Sequence, residues 1–395
     1  MKYRHFIFGI LLIASAALLA PGCGKIVDPA EDPEKEILHS IFFTNPAVNA
    51  TETKTVTNKT IGENYDDNES FRIFALFHLN RDSFGNSAEY FPDTGVTCSR
   101  HATDPTDHTN DYWEPTTPYY WPVSGYLSFL ACSPDIAGDD MTAPDATTPA
   151  LEHSWSTGFT FHDFTIRGAG AQYDLLYTDF ILNCKRTDYT GSPYDDSNSS
   201  QDEGYTHKGV NILFKHSLSL IEFQIHHRVE AGSFTYNVLN VTLLNAYKTG
   251  TFNQNYGVSS AQWTGQKSET DYALFNNPPS PGITISSTAT QIVDLAARED
   301  VNTLMLLPQD LTHGSVDPAD HVWARVTYTR SDRTDPITGD PIEFTPVLDL
   351  ATSSTVTEWT PGMKYVYHIY LNSAIQFSAT MEDWIEYRGS YTIVN

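Results

Sequence analysis

Residues 209–229 read Gly-Val-Asn-Ile-Leu-Phe-Lys-His-Ser-Leu-Ser-Leu-Ile-Glu-Phe-Gln-Ile-His-His-Arg-Val. Val210, Ile212, Phe214, Leu218 and Leu220 fall on alternate positions, the period of a strand with one buried face. The phase then reverses, because Ile221, Phe223 and Ile225 continue the alternation one residue out of step. A one-residue slip turns every side chain to the opposite face, so a bulge or break is expected near residues 219–221. The stretch predicts a central pair of core strands that opens a second β domain after a polar linker.

Working outward, composition agrees with a β-rich chain. The sequence has 395 residues, with 40% apolar and 13% aromatic residues but only 18% charged. That length suggests two or three domains. Low charge together with abundant Tyr, Phe, Gly and Pro favours strands and turns over helix bundles. No segment sustains a helical period, so helices are expected to be few and short. The formal net charge of -26 repels nucleic acid and anionic lipid and excludes both as partners of choice.

At the N-terminus, Lys2 and Arg4 precede an apolar run over residues 6–20 that is shorter than a spanning helix requires. Residues 1–22 therefore read as a signal peptide. The run ends Leu18-Leu19-Ala20-Pro21-Gly22-Cys23, which resembles a bacterial lipobox and makes Cys23 the expected lipidated residue. An ordinary secretory signal beside a coincidental cysteine is the alternative. Residues 23–36 form an acidic tether. With Cys23 set aside, Cys98, Cys132 and Cys184 are an odd number that cannot all pair internally, and no pairing is assignable from spacing.

Residues 37–204 are expected to form a first β domain. Its opening strand candidate, residues 37–44, carries Ile37, Ile41 and Phe43 on one face and Leu38 and Phe42 on the other, as in a strand set deep in a sheet. Further strands are read at residues 71–79, 126–132, 159–166 and 174–182. His101, Asp104, Asp107, His108 and Asp111 form a polar patch whose spacing matches no metal-binding loop, so no metal is expected. Residues 185–207 are the linker. Residues 205–395 are expected to form a second β domain, with strands at residues 234–244, 303–307 and 322–330, a turn and return at residues 246–252, and two terminal strands at residues 365–371 and 375–381.

Tyr120-Trp121-Pro122 with Leu127-Ser128-Phe129, then Asp174-Leu175-Leu176-Tyr177, then residues 210–223 form an ordered series of blocks. Leu306-Leu307-Pro308-Gln309, Trp359-Thr360-Pro361-Gly362 and Asp383-Trp384 complete it. The ordered set resembles the fimbrillin family. The resemblance implies two tandem transthyretin-like Greek-key β-sandwich domains. It implies a stalk, tip or anchor subunit of a type V pilus, exported as an outer-membrane lipoprotein and trimmed of its first strand. A strand from another subunit then fills the vacated groove, the donor coming from the terminal pair at residues 364–371 and 374–381. Trimming in the family follows an arginine between the first strands, but no arginine lies between Arg4 and Arg72, which leaves Lys54 and Lys59 as the basic residues of that loop available for a cut.

An enzyme is not expected. There is no Gly-x-Ser-x-Gly, His-Glu-x-x-His, phosphate loop or dinucleotide fingerprint. His226 and His227 are adjacent on a strand and face opposite ways. No cofactor is implied. The alternative to a pilus subunit is a surface-anchored carbohydrate-binding lipoprotein that uses Trp113, Tyr119, Tyr120, Trp121 or Trp155. The partners expected are other subunits, the outer membrane through the lipid, and a surface ligand.

Overall fold

The computed structural model describes residues 40–48, 70–82, 87–101, 112–135, 140–186, 209–227, 235–275, 282–286, 290–298, 301–302, 304–353, 355–371 and 375–384. The first ten strands are β1 (Phe43–Val48), β2 (Ser70–His78), β3 (Ala88–Glu89), β4 (Val96–His101), β5 (Tyr112–Pro115), β6 (Tyr126–Ser133), β7 (Leu151–Ser154), β8 (Gly158–Thr165), β9 (Leu176–Thr178) and β10 (Ile181–Cys184). Then come β11 (Val210–His216), β12 (Ser219–His227), β13 (Thr235–Asn253), β14 (Gln262–Ala273), β15 (Ile283–Ser286), β16 (Gln291–Asp294) and β17 (Leu304–Leu306). The last are β18 (Trp323–Thr334), β19 (Pro341–Phe344), β20 (Val347–Asp349), β21 (Met363–Tyr370) and β22 (Gln376–Asp383). Among the described residues, helix is limited to a 3-10 turn at Pro318–Asp320, a single α-turn, α1 (Leu350–Ser353), and a 3-10 position at Arg186. The fold is all-β, as its composition requires.

The N-terminal strands close on themselves. The order β6-β9-β11-β1-β5-β4-β2 is completed by a β2–β6 pairing from Arg72↔Cys132 to His78↔Tyr126. The result is a hydrogen-bonded ring with no open edge among these staves, the arrangement that removes the unpaired backbone of an edge strand. Its interior holds Ile41, Phe43, Phe71, Ile73, Phe129, Leu176, Val210, Ile212 and Phe214. Along β11, Val210, Ile212, Phe214 and His216 are buried while Asn211 and Leu213 are exposed, the alternation the sequence shows.

The phase reversal marks a change of sheet. Its break falls at Ser217 and Leu218, two residues before the expected position, because there the chain leaves the ring and enters a second sheet as β12. Remote segments satisfy the backbone at the step. Ser217 N–H donates to Leu175 O at 3.0 Å, Trp263 Nε1 donates to Ser217 O at 2.6 Å, and Gly362 N–H donates to Leu218 O at 2.8 Å. In the second sheet β12 runs parallel to β21, and β22 pairs antiparallel on the far side of β21.

A third sheet is built on the long strand β13, which pairs with β14, β15, β18 and β8. Residues 246–252 continue β13 rather than turning back. Asn245 takes a positive φ of 62° and the register with β14 shifts between Leu243 and Ala246, so a bulge absorbs the irregularity that reads as a turn. The core between these two sheets includes Ile221, Phe223, Ile225, Val238, Val241, Leu243, Val326, Tyr367 and Ile369.

The expected domain boundary at 204/205 lies outside the described residues. On either side of it the pairing interleaves: β11 completes the N-terminal ring, whereas β7 and β8 belong to the β13 sheet.

Candidate functional site

The stave β1 is the part of the ring most distinct from its neighbours. It runs parallel to β11, with Phe43↔Val210, Thr44↔Asn211, Ala47↔Leu213 and Val48↔Phe214. Its pairing with β5 is limited to Phe43↔Trp113 and Thr44↔Tyr112. The parallel register breaks between Thr44 and Ala47, around Pro46, whose nitrogen has no hydrogen to donate.

Ahead of the strand the chain is already tied in. Ser40 bridges to Tyr120, Ile41 N–H donates to Tyr119 O at 2.8 Å, and Val210 N–H donates to Phe42 O at 3.0 Å. Ile41, Phe42 and Phe43 are 1%, 2% and 0% exposed. The Phe43 ring meets Phe129 and Phe71 edge-on at 5.4 and 5.9 Å, and Phe42 meets Tyr112 at 5.9 Å on the opposite face. The two-faced apolar pattern therefore has its physical reason: one face fills the ring and the other is covered by β5.

The walls of this slot are the aromatics that the sequence also offers as a sugar platform. Trp113 and Trp121 are buried, and Trp121 packs edge-on against Phe129 at 6.0 Å. Tyr119 stands 4.5 Å from Phe91, and Tyr90 Oη donates to Tyr120 O. Burial closes Trp113 and Trp121 to a ligand, and the Tyr119 ring is engaged with Phe91. Trp155 lies elsewhere, its Nε1 donating to Glu89 Oε1 at 2.7 Å and its ring 5.9 Å from Phe180.

The remaining predicted residues separate. Cys23, Lys54 and Lys59 lie outside the described residues, as do Asp104, Asp107, His108 and Asp111. His101 stacks on Tyr112 at 4.7 Å, and no group of three potential metal ligands occurs among the described residues. Cys98, Cys132 and Cys184 are buried free thiols. Burial pushes the Cys132 thiol up to about 12 and Cys98 well above its ordinary value, so neither is poised as a nucleophile. His226 and His227 do face opposite ways: His226 Nε2 lies 2.9 Å from His368 Nδ1, whereas His227 packs at 5.4 Å from Tyr236.

At the other end of the chain, β22 lies at the edge of its sheet among the described residues. It pairs with β21 along its whole length, from Tyr370↔Gln376 to Met363↔Asp383. None of its residues is buried, and Met381 is 58% exposed. Its side chains add half-buried contacts: Phe377 stacks on Tyr367 at 5.2 Å, Ala379 packs against the core, and Glu382 pairs with Lys364 at 3.1 Å.

Sequence comparison matches residues 47–384 to the Fimbrillin-like family. No curated protein matches the chain in sequence. Distantly similar solved structures include a fimbrial protein from Bacteroides vulgatus, 16% identical, covering 80% of this chain and 92% of that one with a TM-score of 0.46. A protein assigned to cell adhesion from Bacteroides uniformis is 14% identical over 89% of this chain and 99% of that one, TM-score 0.46. The tip fimbrial protein Mfa3 from Porphyromonas gingivalis, with a C-terminal truncation, is 10% identical over 80% of this chain and 94% of that one, TM-score 0.32.

Proposed function

The chain belongs to the fimbrillin-like family, and from that premise we propose that it is a subunit of a surface fimbrium and polymerises by exchanging strands through the slot now filled by β1. The observation that carries the proposal is the closure of the N-terminal ring by β1 between β11 and β5. Withdrawing that stave turns a ring without edges into one with two facing edges and an apolar lining of Phe71, Phe129 and Phe214. Burying Ile41, Phe42 and Phe43 is worth roughly 1.5–3 kcal/mol each. Their combined loss is comparable with the whole net stability of a typical domain, about 5–15 kcal/mol. An emptied slot is therefore under strong drive to take another strand, with backbone bonds giving affinity and alternate apolar side chains giving register.

The exchange needs a donor, and the terminal strands β21 and β22 supply the candidate. The more weakly buried of the two is β22. In this reading Cys23 carries lipid and anchors the newly exported subunit at the outer membrane. A cut at Lys54 or Lys59 would then free the first strand and the anchor together. A subunit that escapes the cut would stay lipid-anchored with its slot filled, and so would sit at the base of a filament.

The test is deletion of residues 37–48 from the purified mature chain. Light scattering and electron microscopy are expected to show oligomers or filaments, and a synthetic peptide of residues 37–48 added in trans is expected to suppress them. A deletion variant that stays monomeric and folded overturns the proposal.

A further inference from the structure

Trp384 follows directly on β22 and is the one buried residue in 375–384. Its indole lies flat on the imidazole of His216, with ring centres 3.7 Å apart and planes inclined by 8°. The imidazole is fixed in turn by Asp174, whose Oδ2 lies 2.5 Å from His216 Nδ1, and both side chains are 2% exposed. Trp384 N–H also donates to Gly362 O at 3.0 Å. Among the described residues neither His216 Nε2 nor Asp174 Oδ1 has a hydrogen-bond partner, so Asp174 and the stacked indole are what position the imidazole.

These three residues come from three separate segments. Asp174 precedes β9, His216 ends β11, and Trp384 lies beyond the last described strand. Strand β11 also forms one wall of the slot. By contrast, β22 itself presents half-buried or exposed side chains throughout. Backbone pairing along one edge opens readily when few side chains are buried behind it. A large flat ring buried at the end of such a strand is what resists that opening.

We propose that Asp174, His216 and Trp384 form a clasp that holds the C-terminal strand on its own subunit and sets how readily that strand is released. Trp384 is the catch, His216 the seat and Asp174 the residue that positions the seat. The assignment of β22 as a donor rests on the strand-exchange reading above, but the clasp itself does not. Opening it would free β22 as a unit, leaving β21 paired with β12 through seven residue pairs from Leu220↔Lys364 to His226↔Tyr370.

The experiment is hydrogen exchange on the full mature chain, comparing wild type with Trp384→Ala, His216→Ala, Asp174→Asn and Trp384→Phe. Trp384→Ala and His216→Ala are expected to speed exchange of the paired amides in 376–383 by more than about tenfold, while amides of β2 and β6 keep their rates. Asp174→Asn is expected to give a smaller change in the same direction. Trp384→Phe, which keeps a flat ring, is expected to recover most of the protection. Unchanged exchange at 376–383 in both alanine variants overturns the clasp, as does an equal rise across the whole molecule.

A parallel measurement separates this inference from the function it builds on. Each variant is mixed with subunits lacking residues 37–48. If exchange at 376–383 rises but incorporation into oligomers does not, the clasp stands and the donor assignment fails. If incorporation proceeds while exchange is unmoved, the donor assignment stands and the clasp fails.

Discussion

His321 shows how single side chains tie the surface loops of this protein to its strands. It is buried, its Nδ1 lies 2.8 Å from Asp349 Oδ2, and its Nε2 lies 3.3 Å from Ser315 O. Facing acceptors at both ring nitrogens, the imidazole is best satisfied when both carry protons. The hydrogen bond to Asp349 accordingly raises the His321 pKa above its ordinary 6.5, against an opposing effect of burial. For Asp349 burial pushes upward, but bonds from His321, Thr352 and Ala351 outweigh it and bring the carboxyl below 3.8. The signs follow. The His321 contribution to stability is complete below the ordinary histidine value and is lost as pH rises through its raised folded value. The Asp349 contribution is present above the ordinary carboxylate value and is lost as pH falls through its lowered one. The melting temperature of wild type should therefore exceed that of His321→Gln most at about pH 5.5, with the gap narrowing toward about pH 9. Melting curves followed by circular dichroism across that range check it, and a constant gap would contradict it. The partnership was not legible in the sequence, because 28 residues and a change of element separate the two groups.

Among the elements, what could be read in advance was whatever alternates. The β11–β12 stretch announces its change of sheet through the slip between Phe214 and Ile221, and the two-faced pattern of Ile41, Phe42 and Phe43 announces a fully enclosed strand. Strand β14 announces nothing: most of its residues face solvent, so no apolar period exists to find. The slot was visible only as an opening strand. That it closes a ring depends on β2 meeting β6, a pairing that runs from Arg72↔Cys132 to His78↔Tyr126 between segments far apart in sequence and that no local pattern encodes. Gly158, at the start of β8, is a local signal whose meaning needs the fold. Its φ is 85°, and a Cβ there would lie 2.1 Å from Gln254 Oε1. Gln254 is itself fixed, accepting from Phe159 N–H at 3.0 Å and donating through Nε2 to Thr178 O at 2.9 Å. Those bonds tie β8 and the end of β13 to β9 of the ring. Gly158→Ala should thus destabilise the protein by about 1–3 kcal/mol, from the backbone conformation and the displaced amide together. Urea unfolding measures this directly, and a midpoint equal to wild type would show that the Gln254 bridge gives way without consequence.

Across the whole molecule, charge opposes the exchange proposed above. With 23 basic against 49 acidic residues the formal net charge is -26, and under that proposal subunits meeting end to end would repel one another before any strand is transferred. Repulsion between exposed charges extends over about 10 Å at 0.1 M salt and shortens to about 3 Å at 1 M. Filling the slot is an apolar and backbone event, driven by burial of groups that salt does not screen. Association of the 37–48 deletion variant should therefore accelerate as salt rises from about 0.02 to about 0.5 M, while the stability of the assembled product changes little. Light-scattering growth curves at matched protein concentration give the rate, and resistance of the product to dilution gives the stability. A rate that falls with added salt would mean that oppositely charged patches steer the encounter, placing the first contact at basic side chains such as Arg325 or Arg333 rather than at the bare edges of β5 and β11.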